Sequence, residues 1–221
     1  MENGQFHPVI FDMDGVIFDS ERLLMESWKL VADKYGIEGI EDTLRQCFGV
    51  NVEVSRQIYF DRYGPDFPLD LYKQETRAHF RSQCTNGHPP VKAGVRELLD
   101  YLNGRGVPLA LASSTSTEIV RAELEGAGLL DCFSVVIGGD QIERSKPAPD
   151  IFLAAAEALG AKAEDCFVIE DSFNGVRAGK AAGMHTLMVP DMVPPDREME
   201  EKAEAILPSL NEVRNYLASR L

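Results

Sequence analysis

The chain has 221 residues, of which 44% are hydrophobic, and its formal net charge is −14. This length allows one substantial core and a smaller subdomain, and the negative charge disfavours partners such as nucleic acid and anionic membranes. Four dispersed cysteines without a CxxC pair are typical of reduced thiols in a cytoplasmic protein, and no apolar run approaches the ~18 residues of a membrane span. We therefore expect a cytoplasmic monomer that binds neither nucleic acid nor membranes.

The first predicted element is a buried strand, Val9–Phe11, which ends at two aspartates. Helical spacing follows over Ser20–Tyr35, with Ser20 as its N-cap and Gly36 as its stop. From there to residue 88 the pattern favours three further helices and no strand. A segment rich in Gly and Pro, TNGHPPVKAG at 85–94, then predicts a hinge.

Short strands and helices alternate regularly after this hinge. The predicted strands cover residues 108–112, 134–137, 166–169 and 185–189, with a last edge strand at 205–207. Helices are predicted over residues 95–103, 117–127, 150–159, 174–182 and 209–217. Such alternation predicts an α/β fold, a Rossmann-like parallel sheet covered on both faces. We expect residues 1–18 and 90–221 to form this core, and residues 19–89 to form an all-helical insertion.

Asp12 and Asp14 lie one residue apart after the first strand, and Gly15 turns the chain behind them. Two carboxylates at the end of a buried strand repel each other unless a cation or a proton relieves the repulsion. A metal ion, with one nucleophilic and one proton-shuttling carboxylate, would explain the pair. The alternative is a plain Asp- and Gly-rich turn.

The ends of two later strands carry groups that could bind a phosphate, because ligands of open parallel sheets bind at the carboxyl ends of the strands. Five consecutive hydroxyl residues, Ser113 to Thr117, lead from a strand into a helix, whose N-terminus favours an anion. A simple N-cap would need only one of these hydroxyls. Lys146 precedes a Pro-Ala-Pro segment at a helix start, which favours a positioned charge over a solvated surface lysine.

A second acidic pair, Glu170 and Asp171, ends another apolar strand and is followed by Asn174. If this strand neighbours the first, up to four carboxylates meet at one edge of the sheet. A hard divalent cation would neutralise them, and Mg²⁺ suits such a site because it prefers oxygen ligands and bridges to phosphate.

These four motifs, FDMDGVIFDSE, LALAS, SKPAPD and VIEDSFNG, resemble in order and spacing those of the haloacid dehalogenase superfamily of aspartate-nucleophile phosphotransferases. The helical insertion resembles the small cap of the branch that holds β-phosphoglucomutase and phosphoglycolate-type phosphatases. The resemblance implies a Mg²⁺-dependent phosphatase that hydrolyses a small phosphorylated metabolite, such as a sugar phosphate.

The resemblance also implies residue roles. Asp12 would be the nucleophile that forms an aspartyl-phosphate, and Asp14 would be the general acid and then the general base. The implied metal ligands are Asp12, Asp171, the backbone carbonyl of Asp14, and Glu170 directly or through water. Ser113 and Lys146 would hold the phosphoryl oxygens, with N–H groups near Gly15 and Ser114, and Asn174 would orient the loop. The second aspartate, Asp14, argues against a dehalogenase.

A mutase and a catalytically silent binding module are the alternatives to a phosphatase. Mutase-like relatives resembling this chain place a histidine near Leu24 and a basic residue near Val52, and neither residue is basic here. A mutase must also hold a bisphosphate, for which the cap would need cations. Arg22, Arg45 and Arg56 could serve, although a solvated helix face is their more ordinary role. The apolar cap loop at 48–52 is expected to face the leaving group.

Overall fold

The computed structural model describes residues 7–47 and 52–221, in which six strands form one fully parallel sheet. The strands are β1 (Val9–Phe11), β2 (Leu109–Ser113), β3 (Val135–Gly138), β4 (Phe167–Glu170), β5 (His185–Met188) and β6 (Ala205–Ile206). Their order in the sheet is β3-β2-β1-β4-β5-β6. The predicted α/β fold with a Rossmann-like parallel sheet is therefore confirmed.

The helices alternate with these strands, except that five of them follow one another between β1 and β2. The helices are α1 (Ser20–Tyr35), α2 (Ile40–Cys47), α3 (Val52–Tyr63), α4 (Leu69–Gln83), α5 (Val95–Gly104), α6 (Thr117–Gly126), α7 (Asp150–Ala158), α8 (Phe173–Ala181), α9 (Arg197–Lys202) and α10 (Leu210–Ala218).

Side chains alternate between the two faces of the sheet, and helices bury both faces. Val9 and Phe11 point into a cluster with α5, α6 and α10, whereas Ile10 between them packs into a second cluster with α7 and α8. Burial on both faces explains why the strands are nearly uninterrupted apolar runs.

Helices α1–α4, which we call the helical unit, pack around a hydrophobic cluster of their own. Trp28 of α1 stacks on Tyr59 of α3, and both are buried with Leu44 of α2 and Tyr72 of α4. The two connections to the sheet run side by side, since Asp19 N–H donates to the carbonyl of residue 90 at 2.8 Å.

The start of α1 differs from the prediction. Asp19 is the residue that flanks the helix, and Ser20 is already its first helical residue, so Ser20 is not the N-cap. Its hydroxyl donates to Asp14 Oδ1 at 2.7 Å instead. The predicted end is correct, because Gly36 adopts a left-handed conformation with φ of +65°.

Three strands lie one residue later than predicted, at Leu109–Ser113, Val135–Gly138 and Phe167–Glu170. Pro108 cannot donate a hydrogen bond to the ladder, which favours a start at Leu109. As a consequence, Ser113 and Glu170 are the last residues of their strands and are held by the sheet itself.

Candidate active site

The carboxyl ends of β2, β1 and β4 lie side by side, because β1 is the strand between the other two. Asp12 follows β1 directly, and its N–H still donates to the carbonyl of Ile169 at 3.0 Å. Ser113 ends β2, and Glu170 ends β4. The sheet thus brings together residues that are more than 150 positions apart in sequence.

Lys146 reaches this edge from the loop between β3 and α7. Its ammonium donates to Asp12 Oδ1, to Glu170 Oε1 at 2.7 Å and to the carbonyl of Ala112 at 3.5 Å, and its side chain is only 8% exposed. Burial alone would lower the pKa of Lys146, but the carboxylates of Asp12 and Glu170 outweigh it and raise that pKa. Lys146 is therefore a fixed positive charge between two buried carboxylates.

Glu170 is completely buried, and both of its carboxylate oxygens have partners. Oε1 accepts from Lys146, while Oε2 accepts from the N–H groups of Asp171 and Ser172, both at 2.9 Å, and from the Ser172 hydroxyl at 3.0 Å. A Cβ at Gly175 would overlap this carboxylate. Glu170 therefore positions Lys146 and the loop after β4 at the same time.

Asp12, Glu170 and Asp171 each offer one carboxylate oxygen, and these oxygens lie within 4.8 Å of one another. Burial raises the pKa of Asp171, and so does the neighbouring Glu170. Burial also raises the pKa of Asp12, although Lys146 opposes the rise. The Asp171 carboxylate accepts no hydrogen bond from the residues that the structure describes. An unpartnered buried carboxylate beside two others has the donor chemistry of a divalent cation site.

Asp14 is turned away from this acidic group and toward two hydroxyls. Its Oδ1 accepts from Ser20 at 2.7 Å, and its Oδ2 accepts from Thr115 at 3.3 Å. Its carboxylate is not among the oxygens of the acidic group. The two aspartates that are adjacent in the motif therefore occupy different surroundings.

Gly15 allows the loop after β1 to pass close to Asp171. It has φ of +77°, and a Cβ at this position would overlap Asp171 Oδ2. Its N–H donates to Phe18 O at 2.9 Å, so this N–H has a partner within the chain. Its carbonyl accepts from Lys92 Nζ at 2.7 Å, and Lys92 also pairs with Asp191 at 2.7 Å.

The hydroxyls after β2 do not converge on one point. Ser113 is buried and its Oγ accepts from Thr115 N–H at 3.1 Å, whereas Ser114 is exposed. Both the N–H and the hydroxyl of Thr117 donate to Asp140 Oδ1, at 2.6 and 2.7 Å. The start of α6 thus binds a carboxylate of the protein itself, and the prediction of five hydroxyls around one anion is corrected.

Asn174 lies in the first turn of α8, and its Oδ1 accepts from Arg177 at 2.9 Å. Arg177 is in turn paired with Glu198 of α9 at 2.6 Å. These contacts tie the loop after β4 to α9. A direct contact between Asn174 and a substrate stays a prediction.

A cavity of about 380 Å³ opens between Asp14 and the helical unit. Its other walls are Ser20, Glu21 and Leu24 of α1 and Arg77 and Phe80 of α4. Burial, together with the nearby carboxylates of Asp191 and Asp14, raises the pKa of Glu21 to about 7. A molecule in this cavity would have Asp14 at one end and the helical unit around the rest.

A model of the haloacid dehalogenase-like hydrolase family matches residues 9–189, which include every strand-end residue described above. The chain belongs to the haloacid dehalogenase-like hydrolase family. The resemblance predicted from the four motifs is confirmed.

Two curated relatives of this hydrolase are phosphatases. It is 35% identical over 182 residues to a phosphorylated carbohydrates phosphatase of Thermotoga maritima, which covers 81% of this chain and 82% of that protein. It is 32% identical over 210 residues to a bifunctional riboflavin kinase/FMN phosphatase of Arabidopsis thaliana, covering 93% of this chain and 54% of that longer protein. These relatives support the hydrolysis of phosphate monoesters.

A solved structure of a HAD family hydrolase from Deinococcus radiodurans, with bound phosphate and sodium, is also similar. It superposes with a TM-score of 0.79 at 30% sequence identity and covers 97% of this chain and 96% of that one. The likeness extends over the sheet and the helical unit alike. None of the helices among the described residues of this hydrolase is long and apolar enough to cross a membrane.

Three residues of the helical unit that line the cavity, Glu21, Arg77 and Phe80, were not predicted from the sequence. The basic residues that sequence analysis considered, Arg22, Arg45 and Arg56, form exposed ion pairs with Asp19 and Glu26, with Asp42 and with Asp70. The predicted loop at 48–52 lies largely outside the described residues. Arg77 was not considered, because nothing in the sequence separates it from the other basic residues of α4.

Proposed function

We propose that this hydrolase cleaves the phosphate monoester of a small phosphorylated metabolite, such as a sugar phosphate, through an aspartyl-phosphate on Asp12. The observation that carries the proposal is the buried contact of Lys146 with Asp12 and Glu170, with Asp14 held separately by Ser20 and Thr115. The phosphorylated carbohydrates phosphatase among the relatives supports this class of substrate.

In the first step, Asp12 attacks phosphorus and the ester P–O bond breaks. Lys146 holds Oδ1 of Asp12, while Oδ2 accepts no hydrogen bond from the described residues, so Oδ2 is the oxygen that attacks. Asp14 gives its proton to the departing ester oxygen, which leaves as an alcohol. Covalent catalysis of this kind divides one difficult displacement into two easier ones.

In the second step, water attacks phosphorus and the bond between phosphorus and Asp12 breaks. Asp14 takes a proton from this water, so that inorganic phosphate leaves and both aspartates return to their starting states. The hydroxyls of Ser20 and Thr115 orient the Asp14 carboxylate for both proton transfers.

Asp12, Asp171 and the backbone carbonyl of Asp14 would hold Mg²⁺, with Glu170 supporting it directly or through water. When bound, Mg²⁺ neutralises the negative charge of the transferring phosphoryl group. The unpartnered Asp171 carboxylate beside Asp12 and Glu170 is the observation that favours a metal ion here.

Lys146 and Ser113 would hold the phosphoryl oxygens, together with the N–H of Ser114. The N–H of Gly15 already donates to Phe18, so Gly15 would serve mainly by allowing the close approach of Asp171. We assign to Asn174 the orientation of the loop after β4, since it bonds to Arg177.

Residues 19–89 would act as a cap over the core formed by residues 1–18 and 90–221. The two connections, paired through Asp19 and Pro90, would be its hinges. Closure of the cap would exclude bulk water during the first step. A monomeric state and a cytoplasmic location stay predictions.

A phosphatase is favoured over a mutase by the residue at position 24. Leu24 lines the cavity beside Asp14, at the place where the resemblance implies a histidine in a mutase. A leucine cannot move a proton to or from a bound sugar. Phosphate release without an added bisphosphate would support the hydrolase, whereas isomerisation that depends on a bisphosphate would support the mutase.

Asp12→Asn tests the proposed nucleophile. We expect it to lower kcat on phosphate monoesters by about 10⁴-fold or more, the order of loss that follows removal of a covalent nucleophile. The measurement is release of inorganic phosphate with MgCl₂, and acid quenching of the wild type with a labelled ester should trap radioactivity on Asp12. EDTA should abolish the activity and added Mg²⁺ should restore it.

Asp131→Asn is the matched control, because Asp131 is an exposed aspartate outside the site. It should keep wild-type activity. If Asp12→Asn remained as active as Asp131→Asn, or if the label were found on another residue, the proposed mechanism would be wrong.

A further inference from the structure

A second cavity, of about 330 Å³, lies inside the helical unit and adjoins the one beside Asp14. The two cavities share Leu24 and Arg77 as walls. Lys73 and Thr76, from the same helix α4, also line the second cavity. A substrate whose ester lies at Asp12 can therefore extend past Asp14 and Arg77 into the helical unit.

Lys73 and Arg77 form no salt bridge with the described residues, although the charge of Lys73 still helps to lower the pKa of the nearby Asp70 carboxyl group. They lie four residues apart, which places them on the same side of α4. Neither forms an ion pair or a hydrogen bond with any residue in 7–47 or 52–221. Among the residues described as lining the second cavity there is no carboxylate.

Four other basic residues of the helical unit behave differently, although Arg62 and Arg81 also form no salt bridge with the described residues. Arg22, Lys34, Arg45 and Arg56 are each paired with an aspartate or glutamate at its surface. Lys73 is half-buried and Arg77 is exposed, and both line the second cavity. The cavity wall is thus positive although the protein as a whole is strongly negative.

Thr76 gives a second and independent indication. Its side chain is 1% exposed, and its Oγ1 is buried without a hydrogen-bond partner among the described residues. Buried hydroxyls are nearly always satisfied, because leaving one unpaired is costly. Thr76 lines the same cavity as Lys73 and Arg77, where a ligand oxygen could accept its hydrogen bond.

We infer that Arg77, Lys73 and Thr76 bind a second anionic group of the substrate, a phosphate or a carboxylate, at the end remote from the ester that is cleaved. This inference rests on the proposed phosphatase function and narrows its substrate class. Arg77 binds the anion through its planar guanidinium, and Lys73 adds a point charge. The substrates then carry a second anionic group besides the ester phosphate that is cleaved, unlike sugar monophosphates, in which that ester is the only charged group.

Matched esters test this inference in the full-length enzyme with MgCl₂. Fructose 1-phosphate against fructose 1,6-bisphosphate tests a distal phosphate, and sn-glycerol 3-phosphate against 3-phosphoglycerate tests a distal carboxylate. In at least one pair, the wild type should have the higher kcat/KM for the ester that carries the second anionic group. The pair that shows this preference tells whether the distal group is a phosphate or a carboxylate.

Arg77→Ala should lower kcat/KM for the preferred anionic ester by about 10- to 100-fold, as expected for a lost hydrogen bond to a charged group. The loss for the matched ester that lacks the second anionic group should be at least about threefold smaller, since that ester offers Arg77 no distal anion to bind. Arg77→Lys should recover part of the preference, and Lys73→Ala should lose part of it. Thr76→Val should weaken the preference without lowering thermal stability.

Arg45→Ala is the matched control, because Arg45 carries the same charge but lines neither cavity. It should keep the full preference of the wild type. Equal turnover of both members of each pair by the wild type would overturn the inference, and so would an equal loss on both members in Arg77→Ala. In either case the enzyme would still hydrolyse the esters that lack the second anionic group, whereas failure of the proposed function would remove turnover of all four.

Discussion

The strand-end site and the cavity of the helical unit differ in how their charged groups are satisfied. At the strand ends, Lys146 bonds to Asp12 and Glu170, and Glu170 has partners for both oxygens. In the helical unit, Lys73 and Arg77 have no ion-pair partner among the described residues. The lysine of the strand-end site is thus already paired before a substrate arrives, whereas the two cations beside the cavity form no ion pair with the described residues.

This difference follows from the elements that carry the residues. Parallel strands fix the positions of their last residues through the sheet register, so the charges at their ends are preorganised for the chemical step. Helices of the helical unit pack through apolar side chains, and their polar faces carry paired cations such as Arg56 as well as Lys73 and Arg77, which form no salt bridge with the described residues. In the function that we propose, the chemistry resides in the sheet and the choice of substrate in the helical unit.

Lys146→Met should have the largest effect, because it would leave the strand-end carboxylates without their counter-ion. Removal of one member of a buried ion pair costs about 3–5 kcal/mol. We expect a loss of this order in the free energy of unfolding, measured by urea denaturation with EDTA present. Lys162→Met is the control, since Lys162 is 78% exposed and should change stability by less than about 0.5 kcal/mol.

The stability loss of Lys146→Met should depend on pH. Burial raises the folded-state pKa of Asp12 and Asp171, and removal of Lys146 raises that of Asp12 further. An acid whose pKa is higher in the folded state loses stability as pH rises above its unfolded value, about 4 for a carboxyl group. The deficit should therefore be smallest near pH 4 and grow toward neutral pH. A deficit independent of pH would contradict the role of Lys146 as a counter-ion.

Gly15→Ala should have the next largest effect, because the strand-end site tolerates no added atom there. The left-handed conformation costs a non-glycine residue about 1–2 kcal/mol, and overlap of the new Cβ with Asp171 adds about 1–3 kcal/mol. Activity should fall with stability, because Asp171 must move.

Gly36→Ala separates these two costs. Gly36 has nearly the same φ, +65° against +77°, but a Cβ there would meet nothing within 4 Å. Only the conformational cost of about 1–2 kcal/mol should remain, with activity unchanged. Equal effects of the two substitutions on thermal unfolding and on turnover would show that the approach of Asp171 to Gly15 is unimportant.

Most of the fold could be predicted from the sequence because its strands are short apolar runs bounded by clear breaks. Asp12 and Glu170 at strand ends, and Lys146 in the loop after β3, could be predicted to lie together, since the carboxyl ends of parallel strands share one edge. The hydrogen-bond partner of each polar side chain at the site could not be predicted. Thr117 bonds to Asp140, which lies on another loop, and no local pattern connects them.

The helical unit was harder to predict for a physical reason. Its basic residues lie on amphipathic helices, where the sequence tells which side is polar but not which neighbour that side faces. Arg45 and Arg77 look alike in sequence, yet Arg45 pairs with Asp42 at the surface whereas Arg77 lines two cavities. Only the packing of α4 against α1 distinguishes them.

Thr76→Val should have the smallest effect, and its sign sharpens the comparison. Thr76 Oγ1 is buried without a hydrogen-bond partner among the described residues, so its replacement by a methyl group should raise the free energy of unfolding by about 1 kcal/mol.

Thr43 provides the opposite case in the same helical unit. It is completely buried, and its Oγ1 bonds to Gly39 O at 3.1 Å and to the Tyr63 hydroxyl at 3.0 Å. Thr43→Val should therefore lower stability by about 1 kcal/mol. Thermal unfolding of both variants measures the two signs, and a loss of stability in Thr76→Val would mean that its hydroxyl is already satisfied without a ligand.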